Sequence, residues 1–348
     1  MFFIVGPTAT GKSELGADVA REMGAEIVSA DAFQIYRDLD LLTAKPDPST
    51  LAKAPHHLIG TTPLHEEMNA EKYRRAAKRA IDEINSRGKL AIVVGGSGLY
   101  IKALTHGLAP LPKSEPKLRG KLNAMSLDEL RSQLIELDPK KARKIDTKNR
   151  RRLVRALEIC LLTGRPASEV VAGVGDSGLP GSPIPATGVF VFRDREELYA
   201  RINQRVEAMF EEGVIEEVRA NGATSATALQ MIGLREIREL LEGRMLPDPA
   251  KPGSSFRAKG GSGHEVQTEG AGRSSRFSEP AALLAQSGSL LQCIAQIQQA
   301  TRRYAKRQLT WFRRQTNFLP LNLSLLSHNE AVKWILLRML SEVRTRDD

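Results

Sequence analysis

Phe2-Phe3-Ile4-Val5-Gly6-Pro7-Thr8-Ala9-Thr10-Gly11-Lys12-Ser13 is the stretch on which the fold turns. Its first four residues form a short apolar run. The next eight fit the pattern G-x-x-x-x-G-K-[ST] in full, and a helical pattern follows at Leu15, Val19 and Met23. Strand, glycine-rich turn and helix in this order make a phosphate loop. Glycines let the backbone approach phosphate oxygens, and the N–H groups of the loop and the helix N-terminus aim at the anion. Lys12 is placed to reach the terminal phosphates, and the Ser13 hydroxyl to hold Mg2+. Gly6, Pro7, Thr8, Ala9, Thr10, Gly11, Lys12 and Ser13 are therefore the candidate phosphate site. A kinase, an NTPase and a transferase that expels pyrophosphate could all use such a loop.

Outward from the loop, the chain predicts a second strand at Ala25–Asp31, closing on an acid. Ligands of α/β sheets bind at the carboxyl ends of strands, which places Asp31 near the loop. An Asp after a strand also commonly caps a turn. His56-His57-Leu58-Ile59 reads as a short strand whose two histidines face opposite sides, so they are not a metal pair. Helical spacing of Tyr73, Ala77, Ile81 and Ile84 predicts a helix over 69–87. The run from Lys89 to Val94 then ends in Gly95-Gly96, as a buried parallel strand meeting a ligand would. A standard NTPase would carry an Asp there.

From about residue 110 the character changes. Pro110, Pro112 and Pro116 mark a boundary, and 117–172 reads as helical. Within it, residues 140–155 hold nine cations against one acid, Asp146, which favours a nucleic acid over a merely solvated face. After a Gly/Pro/Ser linker at 173–186 come a strand near 187–192, one helix from Leu198 to Arg219, and a helical stretch at 226–246 broken at Met231-Ile232-Gly233. Residues 247–289 show no period and read as a flexible insertion. Ordered helix is expected again from about Leu290. Its segment 301–314 holds six cations, three aromatics and no acid. Tyr304, Gln308, Trp311 and Phe312 have the spacing of core anchors. A last amphipathic helix is expected at 328–343.

The 348 residues suggest about two domains. A formal charge of +10 favours a polyanionic partner. Two cysteines, Cys160 and Cys293, exclude a disulfide scaffold and a four-cysteine zinc site. No apolar stretch reaches membrane-spanning length, and no targeting peptide is evident at the N-terminus, so a cytoplasmic location without membrane association is expected.

Several motifs now stand in one order: GPTATGKS, Ser29-Ala30-Asp31-Ala32-Phe33-Gln34-Ile35-Tyr36, Thr43-Ala44-Lys45-Pro46, His-His-Leu-Ile, Val94-Gly95-Gly96-Ser97-Gly98-Leu99-Tyr100, Arg151-Arg152-Leu153-Val154-Arg155, Arg201-Ile202-Asn203-Gln204-Arg205-Val206, and 301–312. Together they resemble the tRNA dimethylallyltransferase family, over residues 1 to about 315 apart from 247–289. The resemblance implies transfer of the dimethylallyl group from dimethylallyl diphosphate to N6 of the adenosine 3′ of the anticodon, in tRNAs reading codons that begin with U, with release of diphosphate. It implies Asp31 as the base, Thr10 and Arg205 facing the diphosphate, and Mg2+ on Ser13. It implies contacts to the tRNA anticodon stem-loop from Asp31, Ala32, Phe33, Gln34, Ser97, Arg119, Arg151, Arg152, Leu153, Val154, Arg155, Gln230, Gly233, Thr301, Arg302, Arg303 and Lys306. Departures are few: Ala32 stands for the usual Ser, Ser97 for Thr, and Leu234 for Tyr. The zinc finger that some eukaryotic members append is absent, so the chain resembles the bacterial type; a monomer is expected.

The expected architecture is α/β, a parallel-sheet core of the P-loop nucleoside triphosphate hydrolase type with a helical insertion domain. The core takes 1–115 and 186–246, the tRNA-binding insertion domain 116–185, the flexible insertion 247–289, and a C-terminal helical part 290–348. The other readings are prenylation of free AMP or ATP, a small-molecule kinase, and a non-catalytic RNA-binding protein. The two basic helical regions speak against the first of these, and intact Lys12, Ser13 and Asp31 against the last.

Overall fold

The computed structural model describes residues 1–108, 111–172, 187–244 and 279–347. Two compact units emerge: one joins Met1–Gly98 to Thr187–Asp348, and the other is Leu99–Ala186.

Six strands build the first unit: β1 Phe2–Val5, β2 Glu26–Ala30, β3 His56–His57, β4 Ala91–Gly95, β5 Gly188–Phe192 and β6 Leu319–Asn322. They lie in the order β3-β2-β4-β1-β5-β6, and every pair is parallel. The inner strands are buried along their length, which is why they read as unbroken apolar runs rather than alternating ones. Because all six run the same way, their carboxyl ends share one edge. The helices, in chain order, are α1 Lys12–Met23, α2 Pro48–Leu51, α3 Ala70–Ser86, α4 Gly98–Thr105, α5 Pro116–Ala124, α6 Leu127–Leu137, α7 Pro139–Lys144, α8 Arg150–Thr163, α9 Ala167–Ala172, α10 Arg195–Glu211, α11 Val214–Ala220, α12 Leu234–Leu241, α13 Glu279–Phe312 and α14 His328–Asp347.

On one face of the sheet, Ile4, Ile27, Ile92, Val94, Val189 and Val191 pack with Leu15 and Val19 of α1 and with Ile335 and Met339 of α14. The second unit has its own core: Leu122, Leu130, Leu134, Leu153, Leu157 and Ile159 from α5, α6 and α8. No helix among the described residues is long and apolar enough to cross a membrane.

Four local expectations change. The second unit begins at Leu99, ahead of the proline-marked boundary. The helix expected over 198–219 is two, α10 and α11, because Gly213 takes φ +97 and turns the chain between them. α13 starts at Glu279, earlier than its basic segment suggested; residues 245–278, most of the expected insertion, lie outside the described residues. β6 was not expected at all. It carries Pro320, which an edge strand tolerates because one side of its ladder needs no donor.

Candidate active site

The phosphate loop leaves β1 at the sheet's carboxyl edge and enters α1 through Gly11, whose φ of +91 no bulkier residue adopts easily. Lys12 is buried, with its ammonium 3.4 Å from the Pro7 carbonyl. Asp31 follows β2 on the same edge, and Gly96-Ser97 follow β4. α13 closes the arrangement from the far end of the sequence. The Thr8 N–H donates to Gln308 Oε1 at 3.0 Å, and Gln308 Nε2 donates to the Gly96 carbonyl at 2.8 Å. One buried amide thus ties the phosphate loop to the end of β4.

This tie explains the glycine run, and differently from the expectation that it meets a ligand. A Cβ on Gly95 would lie 2.3 Å from the Ala30 carbonyl oxygen. On Gly96 it would lie 2.4 Å from Gln308 Nε2 and 2.7 Å from the Gly6 carbonyl oxygen, and on Gly98 2.7 Å from the Trp311 ring. The glycines make room for β2 and for α13.

Asp31 does two things. Its Oδ1 accepts the N–H groups of Phe33 at 2.9 Å and Gln34 at 3.3 Å, the turn cap that its position after a strand allows. Its other oxygen has no hydrogen-bond partner among the described residues. The carboxylate's field reaches Lys12, Arg205 and Tyr304. Burial brings the Lys12 ammonium down to about 8, against the pull of Asp31. Burial likewise lowers Arg205 to about 10, and it pushes the Tyr304 hydroxyl up, reinforced by Asp31. Ser97 Oγ accepts the Ala32 N–H at 2.9 Å. Its hydroxyl therefore steadies the turn that presents Asp31.

Asp31, Arg205 and Tyr304 border one pocket, with about 670 Å3 of empty space counting its open mouth. Thr8, Asp31, Arg205 and Tyr304 form its polar end; Phe33, Val206, Met209, Phe210, Met231 and Ile297 are prominent in an apolar wall. Arg205 Nη2 donates to the Thr8 hydroxyl at 2.8 Å, while its buried Nε has no partner. The hydroxyl that meets Arg205 is therefore that of Thr8. Thr10, expected to face the diphosphate, is fully buried, and its hydroxyl donates to the Pro7 carbonyl at 3.0 Å, bracing the loop from within.

Several residues expected to touch tRNA have other work. Leu153 and Val154 are core residues of the second unit, since α8 must bury one face. Arg119 and Arg155 both pair with the fully buried Glu158, at 2.7 and 2.6 Å, because a buried carboxylate needs cations to stay charged. Arg150 donates to the carbonyls of Asn123 and Met125 at the end of α5. Arg151 and Arg152 remain exposed at the N-terminal turn of α8. In the first unit, Gln34 Nε2 donates to the Ala44 carbonyl, and Arg302 to Asn203 Oδ1. Thr301 is buried, its hydroxyl donating to the Ile297 carbonyl, although it borders the pocket. Gly233 is buried with φ +96, where it breaks the chain ahead of α12, and Gln230 is exposed. Arg303 and Lys306 are exposed on α13 and line a groove with Arg307, Thr310, Trp311 and Arg314.

Gln308, Tyr304, Arg193 and Arg201 were not expected in the site. The spacing of Tyr304 and Gln308 signals a buried face; on it Tyr304 borders the pocket and Gln308 holds the phosphate loop.

The profile of the IPP transferase family matches residues 34–253 and 256–315. A tRNA dimethylallyltransferase of Citrifermentans bemidjiense is 38% identical over 316 residues, covering 90% of this chain and 88% of the relative. One of Geobacter sulfurreducens is 37% identical over 339 residues, covering 96% and 91%. Among solved structures, a tRNA isopentenylpyrophosphate transferase of Bacillus halodurans superposes with a TM-score of 0.64 at 28% identity, covering 99% of this chain and 97% of that one.

Proposed function

Because the chain belongs to the IPP transferase family, it is an enzyme that prenylates tRNA, and we propose that it carries dimethylallyl from dimethylallyl diphosphate to N6 of the adenosine 3′ of the anticodon, in tRNAs reading codons that begin with U. The observation that carries the choice of donor is the two-ended pocket. Arg205 and Thr8 on its polar side suit a diphosphate, and the apolar wall suits five carbons.

In this reading the bond from C1 of the donor to the diphosphate oxygen breaks as the bond from N6 to C1 forms. An exocyclic amine is a weak nucleophile, and the oxygen of Asp31 not used by the turn accepts the N6 proton. Charge gathers on the departing diphosphate, and in this reading Lys12 and Arg205 stabilise it. The partly exposed Ser13 hydroxyl, one turn residue beyond Lys12, offers a hard oxygen of the kind Mg2+ accepts beside phosphate oxygens and water; bound there, the ion would supply further charge neutralisation. A base stacked in an anticodon loop must be extruded to reach Asp31. Arg151, Arg152, Arg303 and Lys306 are among the exposed cations that would serve tRNA phosphates.

Incubation with labelled dimethylallyl diphosphate and either tRNA or AMP tests the acceptor. Label is expected on tRNA alone; label on AMP and not on tRNA contradicts the reading. A second expectation concerns pH. Lys12 is charged below about 8 in the free enzyme and neutral above it, so kcat/KM for the donor should fall as pH rises through that value. Lys12→Arg, which stays charged, should move that alkaline limb upward. A profile flat to pH 9.5 in the unaltered enzyme would show that Lys12 does not govern donor capture.

A further inference from the structure

Ala9 holds φ +64 and Gly11 φ +91, so the loop contains a left-handed non-glycine residue two positions before a left-handed glycine. Such backbone persists only where its surroundings over-determine it. Two arginines outside the loop do this. Arg193, just past β5, donates from Nε to the Thr10 carbonyl at 2.9 Å. Its Nη1 also donates to the Leu323 carbonyl at 3.0 Å and to Glu197 at 2.6 Å. The half-buried guanidinium therefore locks the loop to the ends of β5 and β6. Arg201, on α10, donates from Nε to the Ala9 carbonyl at 3.0 Å.

Every peptide bond described here is trans, so each carbonyl points opposite to the N–H of the same peptide group. Holding the carbonyls of Ala9 and Thr10 against the arginines turns the N–H groups of Thr10 and Gly11 to the other side of the loop. Amides converging in this way make an anion-binding concavity. We infer that Arg193 and Arg201 are positioning residues, which preorganise the loop amides for the donor's diphosphate by gripping the loop through its carbonyls. This rests on the reading of the loop as a diphosphate holder. It assigns the arginine pair of α10 separate tasks: Arg205 reaches the pocket, and Arg201 sets the backbone beside it.

The test uses the ligand-free full chain and inorganic pyrophosphate. Arg201 is exposed and its Nε bonds only the loop, so Arg201→Met is expected to fold normally. Hydrogen exchange of peptides covering 6–13 should quicken several-fold in this variant, while peptides covering β4 exchange as before. Pyrophosphate should bind roughly tenfold more weakly, the scale of one lost charge-assisted hydrogen bond. Arg193→Met with Arg201→Met should be weaker still, and Arg201→Lys, which keeps one donor, should lie between. Loop exchange at the wild-type rate in both methionine variants overturns the inference, as does pyrophosphate binding at wild-type affinity. Wild-type protein that takes up no pyrophosphate overturns the diphosphate reading itself.

Discussion

Asp31→Asn is expected to lower kcat for prenyl transfer by roughly a thousandfold, within the range that a positioned general base supplies, while leaving tRNA affinity within about twofold of its original value. Asparagine is the informative replacement because Asp31 serves two ends. One oxygen accepts the N–H groups of Phe33 and Gln34, and an amide oxygen can keep those bonds. The turn and the wall residue Phe33 then stay in place, and only the capacity to take a proton is lost. Alanine would remove both, and a fall in tRNA affinity could then come from the turn. Single-turnover rates with saturating tRNA, set beside filter-binding affinities, separate the two. Equal losses in rate and affinity for the asparagine variant would make Asp31 a turn cap and nothing more.

Gly96→Ala should also damage the enzyme, from a residue with no reacting group. The added methyl would lie 2.4 Å from Gln308 Nε2 and 2.7 Å from the Gly6 carbonyl oxygen. The first is a side chain that can move, but moving it gives up the bond to the Gly96 carbonyl and, through the same amide, the bond to the Thr8 N–H. The second is backbone at the mouth of the phosphate loop. Overpacking of this kind costs about 1–3 kcal/mol. A fall in thermal midpoint together with a rise in KM for the donor of tenfold or more is expected. Gly120→Ala is the control: nothing lies within 4 Å of a Cβ there, and alanine inside α5 should stabilise by about 0.5–1 kcal/mol. Unchanged donor KM in Gly96→Ala would mean that Gln308 does not set the loop.

What the sequence made legible was local. The phosphate loop, Asp31 at a strand end and the helical region 117–172 each announce themselves by a pattern a few residues long, and each lies where that pattern puts it. Edge strand β6 did not, because four residues with a proline give no period to read. Charge was legible as composition and not as use. Of the cations near α8, Arg150 and Arg155 are spent on α5 carbonyls and on Glu158, and only geometry distinguishes them from exposed Arg151 and Arg152. The glycines after β4 were read as opening onto a ligand; the bulk they accommodate, Gln308 and Trp311, lies more than two hundred residues away in the chain. Thr10 matched a motif position, yet a hydroxyl's direction depends on the loop's dihedrals, which a motif does not specify.

The bond from the Thr8 N–H to Gln308 spans 300 positions of sequence, and this bears on how the protein is made. A ribosome that has finished β4 has produced three of the central strands, but the partner of β1 on its other side, β5, is still untranslated. The open edge of β1 must be shielded through the synthesis of the entire second unit. Even then the phosphate loop lacks its amide brace until α13 leaves the exit tunnel. At roughly 5–20 residues per second, a nascent chain waits tens of seconds between making its phosphate loop and being able to fix it. The phosphate loop is therefore fixed only after α13 has been made, and a chain cut short before α13 is a client for chaperones and proteases, not a slower enzyme.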